Sequence, residues 1–364
     1  MRVERFGPGT PAAEVRALVA APGGVEIEVA EILAEVRAGG DDAVKTLTER
    51  FDKAEVGPEA LRVDPAEIDA AVAGLEPEVL AGLRTAVANV RAVAEAGLRQ
   101  PVAVELEQGQ TVELTEVPVR RAAAYVPAGK APYPSTVVMC AVTASVAGVD
   151  ELVVCAPPGP GGGAHPVILG ACGLCGVTEV YRMGGAQAIA ALAYGTKSVA
   201  PVDLIVGPGN AYVTEAKRQV AGDVGIDGLA GPSELVVVVA EGAEPELVAL
   251  DLLAQAEHGD SSLVVVISAG DRLLDAVVDA AQRLAPERPS VSGAPLVAVR
   301  ERDVRSAVAL AEAIAPEHLE LVGEEAESLA VKVRAAGCLF VGRDAATAFG
   351  DYVAGSNHVL PTGG

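Results

Sequence analysis

The sequence predicts an α/β protein with mostly parallel sheets, preceded by a helical N-terminal region. Three observations carry this. From Arg121 onward, short apolar runs of strand length alternate with helix-length stretches, the pattern of parallel strands joined by crossover helices. The chain has 364 residues and is 51% hydrophobic, enough for two such units with filled cores. Aromatics make up only 3% and Trp is absent, so the core is built from Ala, Val and Gly, which suits close packing of helices on sheets.

In chain order, residues 1 to about 100 read as helical. Residues 25–38 place apolar side chains at helical spacing, Asp41 is a plausible N-cap for a helix over 42–51, Asp64-Pro65 opens another, and 77–96 is a longer one. The period then changes to two: Val102, Val104 and Leu106, a turn at Gln108-Gly109, then Val112, Leu114 and Val117 predict a hairpin. Strands follow at ELVVCA (151–156), TEVYRM (178–183), DLIVG (203–207), ELVVVVA (234–240), SLVVVIS (262–268), PLVAV and CLFVG, with helices between them, among them 245–258, 271–284 and 303–314. Residues 349–364, rich in Gly, Asp, Asn and Ser, read as loop.

A formal net charge of −23 speaks against nucleic acid or an anionic membrane as partner. The first ten residues lack the apolar core of a secretory signal, and no apolar run is long enough to span a bilayer, so a cytoplasmic protein is expected. The five cysteines sit among apolar neighbours as reduced core thiols do. Cys172 and Cys175 form a CxxC, but without a second pair, so packing is preferred over metal or redox chemistry.

Few residues here can do chemistry. Gln255 and His258 lie three apart at the end of the helix over 245–258, with Gly259 as its C-cap, so their side chains can converge on one ion or ligand atom. A histidine complementing the helix dipole beside a solvated Gln255 accounts for the pair equally. Glu317 and His318, in APEHLEL, pair a carboxylate with an imidazole, as paired proton transfers require. Pro316 pushes Ala315 towards an extended conformation, and in a turn both side chains reach one cleft, whereas in a flat strand they face opposite sides. Asp351 is a candidate third ligand for a mixed Gln/His/Asp site suited to zinc, manganese or cobalt, or else an Asp bonded within its own turn. The Gly-rich loops after Met183 and Val206 are ligand candidates by their place after strands, though neither is a GxGxxG fingerprint. His165 looks incidental.

GGAQAIAALAYGT, GPGNAYVTEAKRQ, GIDGLAGPSEL, AQAEHG, APEHLEL and GDYVAGSNHVLPTGG, in this order and spacing, resemble the histidinol dehydrogenase family along nearly the whole chain. The combination is specific where no single motif would be. The resemblance implies two incomplete Rossmann-like domains: an N-terminal arm over 1–20, a substrate and metal domain formed by 21–121 and 235–364, and a nucleotide-binding domain inserted over 122–234. It implies a homodimer of intertwined subunits and a zinc-dependent, NAD-linked, four-electron oxidation of L-histidinol through L-histidinal to L-histidine. It places the metal ligands on Gln255, His258 and Asp351, which together with Ser233 and His318 also form the substrate site. The general base falls on His318, the water-activating carboxylate on Glu317, and the cofactor contacts on Tyr125, Gln187 and Asn210.

Two departures stand out. HGDSS follows the helix where Pro-Asp is more usual. The sequence stops at Gly363-Gly364, where family members continue into a helical tail whose late Glu contacts substrate and whose late His reaches the partner's zinc. A truncated or shortened chain with weakened metal binding and impaired turnover is therefore expected, His358 standing in only if the NHVLP loop folds towards the metal. The alternatives are an NAD-dependent dehydrogenase of another polar alcohol and a non-catalytic fragment.

Overall fold

The computed structural model describes residues 1–19, 23–56, 61–128, 131–291, 293–360 and 362, and of Asp351 only the backbone. The chain gathers into two compact units, one formed by Gly24–Gly228 and Tyr352–Val359, the other by Met1–Gly23, Leu229–Asp351 and Leu360–Gly364. This grouping differs from the sequence-based one, which joined 21–121 to 235–364. The helices Glu26–Asp52, Pro65–Ala73 and Pro77–Gly97 instead pack on Gly185–Tyr194, Pro166–Leu174 and Pro134–Ala147 of the first unit.

The first unit holds five parallel strands in the spatial order Glu179–Arg182, Glu151–Ala156, Arg121–Tyr125, Leu204–Val206, Gly225–Ile226. The earliest strand is central, the chain winds outward on one side and then returns to the other, and the order reverses between Arg121–Tyr125 and Leu204–Val206. One face is covered by the kinked helix Glu26–Asp52 with Gly185–Tyr194 and Ala211–Val220, around Val44, Leu47, Ile189 and Val213. The other is covered by Pro134–Ala147, Pro166–Leu174 and the helices before the hairpin, around Val137, Met139 and Ile168.

The second unit repeats the winding with six parallel strands: Val3–Phe6, Leu296–Arg300, Leu263–Ser268, Glu234–Val239, His318–Val322, Cys338–Val341. Here Val3–Phe6, unforeseen in the sequence, closes one edge. Pro245–Ala256 and Asp271–Leu284 cover one face and Val304–Ile314 the other. The expected pair of incomplete Rossmann-like sheets is thus present.

Local chemistry sets the boundaries. Among the described residues five helices begin on proline, at Pro65, Pro77, Pro134, Pro166 and Pro245, where the missing N–H costs no hydrogen bond. Asp64 and Glu67 complete a capping box. Gly40, at φ 56° and ψ −135°, is non-helical and divides Glu26–Asp52 into two helices, the second beginning about where expected, while the Asp41 carboxylate accepts the Ser198 hydroxyl at 2.7 Å. His165 caps Pro166–Leu174 by accepting the Val167 N–H. Residues 349–352, expected as loop, belong to the helix Thr347–Tyr352.

Cys172 is fully buried and Cys175 partly so, and burial pushes both thiols up, Cys175 to about 12, which makes them packing residues. The hairpin Val102–Glu105 with Thr111–Leu114 forms as expected and stands exposed along its length. No described helix is long and apolar enough to cross a membrane.

Glu320 faces the same side of its strand as Val322, between Val237 and Phe340, and is 1% exposed. Burial, with Asp251 adding like charge, raises its pKa to about 9. A folded pKa above the unfolded one means the native state holds the proton longer, so stability falls as pH rises from about 4.5 to about 9. Glu320→Gln, neutral at every pH, should therefore raise the melting temperature by roughly 2–6 °C near pH 8.5 and change it little at pH 4, as read by thermal melts across pH.

Candidate functional site

The second unit gathers Ser233, Gln255, His258, Glu317 and His318 near the amino edge of its sheet. Glu234–Val239 and His318–Val322 are parallel neighbours that start together, so Ser233 and Glu317 precede adjacent strands. Pro245–Ala256 runs back against the strand direction, which returns its C-terminal Gln255 and the following His258 to that edge. The helix stops at Ala256, two residues before the expected end, but the His258 N–H still bonds the Gln255 carbonyl at 3.2 Å.

Glu317 and His318 sit at a strand start rather than in a turn, and Ala315 is left-handed (φ 49°, ψ 62°) rather than extended. Arg16 explains that conformation. Its guanidinium donates to the Ile314 carbonyl at 2.7 Å and to the Ala315 carbonyl at 3.0 Å, and holds the Glu234 carboxylate at 3.0 Å. The two glutamates then exchange bonds: Glu317 Oε2 accepts the Glu234 N–H at 3.0 Å, and Glu234 Oε2 accepts the Glu317 N–H at 3.2 Å.

Glu317 Oε2 also accepts the Ser233 hydroxyl at 2.7 Å and lies 3.6 Å from His318 Nδ1. Glu317 and His318 are both buried, 7% and 4% exposed. His318 Nδ1 lies 3.0 Å from the Glu234 carbonyl. A carbonyl can only accept, so Nδ1 carries the proton and Nε2 is the basic nitrogen. The cluster thus combines a base, a carboxylate and a hydroxyl within one hydrogen-bonded group.

Gln255 is 3% exposed, yet its amide nitrogen has no hydrogen-bond partner among the described residues. A buried amide left this way costs free energy unless a ligand engages it. His258 is exposed, with Nδ1 3.3 Å from the Gln255 carbonyl, which leaves Nε2 as its lone-pair nitrogen. The orphaned amide is an N–H donor and calls for an acceptor on a ligand, whereas a borderline cation would take the Gln255 amide oxygen and His258 Nε2. Among the described residues no three His, Cys, Asp or Glu side chains gather as a metal centre. The Asp351 side chain lies outside the described residues, and His358 belongs to the other unit, its Nε2 3.3 Å from Ser135 Oγ.

The first unit places Tyr125, Gln187 and Asn210 at the carboxyl edge of its sheet, with Tyr125 and Asn210 following the two strands that flank the reversal of strand order, where open α/β sheets bind ligands. Tyr125 ends its strand, is 3% exposed, and accepts the Gly185 N–H on its hydroxyl at 3.2 Å; burial holds its phenol far above the usual range. Gln187, in the first turn of Gly185–Tyr194, donates to Asp52 at 3.4 Å. Asn210 is exposed and caps Ala211–Val220, accepting the Tyr212 and Val213 N–H groups at 3.0 and 3.1 Å. Gly207 follows Leu204–Val206 with φ +109°, and a Cβ there would lie 2.2 Å from the Tyr125 carbonyl oxygen.

Sequence reasoning missed Arg16, Asp52 and Glu320. Asp52 ends a helix beside Gln187, and burial raises it to about 6. Glu320 was detectable as the second polar residue, two on from His318, on one face of an otherwise apolar strand.

The sequence model of the histidinol dehydrogenase family matches residues 20–364. Histidinol dehydrogenase of Cereibacter sphaeroides is 46% identical over 344 residues, 93% of this chain and 79% of that protein. That of Rhodospirillum rubrum is 46% identical over 345 residues, 92% and 78% respectively. The crystal structure of histidinol dehydrogenase from Elizabethkingia anophelis superposes with a TM-score of 0.92 at 31% identity, covering 99% of this chain and 85% of that one.

The contact at Gly207 yields a test. Gly207→Ala must move the Tyr125 strand end or the loop, so it should cost about 2–3 kcal/mol of stability, measured by chemical denaturation.

Proposed function

Because the chain belongs to the histidinol dehydrogenase family, we propose that it oxidises L-histidinol through L-histidinal to L-histidine, with NAD as oxidant and zinc as the bound metal. The observation that carries this reading is the buried group of Ser233, Glu317 and His318 at the sheet edge to which Gln255 and His258 return. We assign the unit holding Tyr125, Gln187 and Asn210 to the nucleotide, and Gln255, His258 and Asp351 to the metal, with Ser233 and His318 completing the substrate site.

Gln255, His258 and Asp351 would hold the metal, which when bound would supply a Lewis acid for positioning the substrate, and the bound NAD would supply the two-electron acceptor that each oxidation requires. The proton work falls to the chain. His318, oriented by the Glu234 carbonyl, would accept the hydroxyl proton of the alcohol through Nε2, release it to solvent, and then accept that of the aldehyde hydrate. Glu317, fixed by Ser233 and the Glu234 N–H, would orient and activate the water that hydrates the aldehyde. Burial of both groups keeps competing water from the reacting atoms.

A homodimer accompanies this reading, supported by the hairpin that exposes Val102, Val104, Leu106, Val112 and Leu114, 40–59% each, more apolar surface than a free two-stranded ribbon can bury by itself. The net charge of −23 agrees with a small-molecule substrate rather than nucleic acid or a membrane surface, and we place the enzyme in the cytoplasm.

NADH formation at 340 nm on addition of L-histidinol is the direct assay. We expect turnover that a chelator abolishes and zinc restores, and a fall in kcat of roughly 10²–10⁴ for His318→Gln with little change in melting temperature. A zinc-loaded chain inert towards L-histidinol but active on another alcohol in a panel would overturn the substrate assignment.

A further inference from the structure

Lys217 is a charged residue in an apolar place. It lies within Ala211–Val220, flanked by Val213, Ala216 and Val220 of the core, and is 2% exposed. Its ammonium pairs with Asp227, whose side chain is 20% exposed, and donates to the Gly207 carbonyl at 3.1 Å. Asp227 in turn accepts the Gly207 N–H at 2.7 Å and the Gly228 N–H at 2.8 Å. One ion pair therefore holds both polar groups of a single glycine.

Stability alone does not account for this pair. Taking an ammonium out of water costs as much as its attraction to a carboxylate returns, and apolar groups of similar size commonly serve a core equally well. What apolar groups cannot supply is direction, and here the direction falls on one residue. Gly207 is the first residue after Leu204–Val206, at the reversal of strand order, pressed against the Tyr125 backbone. Left to itself, Gly207-Pro208-Gly209 would be a soft hinge between the strand and Asn210.

We propose that Lys217 and Asp227 are positioning residues that clamp Gly207 and thereby preorganise the 207–210 loop for the dinucleotide. This rests on the reading that Tyr125, Gln187 and Asn210 receive NAD. The clamp touches neither nucleotide nor substrate. Its contribution is the ordering the loop would otherwise undergo on binding, so it acts on nucleotide affinity and not on the chemical step.

The test is fluorescence titration of the full-length protein with NADH, alongside steady-state kinetics and thermal melts. The double variant Lys217→Met/Asp227→Leu should melt within a few degrees of the parent, bind NADH roughly tenfold more weakly, raise KM for NAD in parallel, and keep kcat at saturating NAD within about threefold. Lys217→Gln/Asp227→Asn, which removes both charges together while keeping polar groups beside Gly207, should show the same split at smaller size and serves if the first double variant does not fold. Unchanged NADH affinity in a folded variant overturns the proposal, as does a loss of affinity, kcat and melting temperature together, which marks a merely structural pair. Asn210→Ala separates the two levels: if it weakens NADH binding while the clamp variants do not, only the clamp is wrong, and if it too leaves binding unchanged, the nucleotide reading falls and takes the clamp with it.

Discussion

The chemistry-bearing edge of the second unit depends on a reciprocal exchange between Glu234 and Glu317, each carboxylate accepting the other residue's backbone N–H. Two buried carboxylates this close repel each other, and each is costly to remove from water. Arg16 compensates by pairing with Glu234 while donating to the carbonyls of Ile314 and Ala315. Once those bonds are made, the Glu317 carboxylate stands where the Ser233 hydroxyl and the His318 ring meet it. The ring is turned by the Glu234 carbonyl so that its basic nitrogen is Nε2.

Both sheets wind in the same order, yet their candidate residues occupy opposite edges. In the first unit Tyr125 and the loops leading to Gln187 and Asn210 follow strand ends, where glycine-rich turns and helix N-termini present backbone N–H groups to a ligand. In the second, Ser233, Glu317 and His318 come before or at strand starts, and Gln255 and His258 arrive at the end of a returning helix. That edge presents helix C-termini and side chains, which suit holding a cation and moving protons better than binding phosphate.

The fold was largely legible because buried parallel strands such as ELVVVVA and SLVVVIS have no other reading. Arg121–Tyr125 was hidden by its alanines, which have weak strand preference and are placed here by neighbours on both sides. Val3–Phe6 was hidden by charges tolerated at a sheet edge. Ala315 went against the rule for residues before proline because three bonds from Arg16, some 300 positions away, act on the turn it occupies. Local pattern named Glu317, His318, Gln255 and His258 as polar residues with chemical potential, but not the bond between Glu317 and Ser233, which spans 84 positions. Tyr125, Gln187, Asn210 and Ser233 were legible only through resemblance, since a buried tyrosine or a capping asparagine carries no functional mark.

The edge strand Val3–Phe6 also orders events during translation. Its hydrogen-bonding partner, Leu296–Arg300, is made some 290 residues later, which at roughly 5–20 residues per second is a delay of about 15–60 s. All five strands of the other sheet have been made once Ile226 is synthesised, so that sheet can assemble on the ribosome while the first strand to emerge waits unpaired. The nascent chain therefore carries an open strand until Leu296–Arg300 is made, and the glutamate at position 4 and arginine at position 5 help keep it soluble until its neighbour arrives.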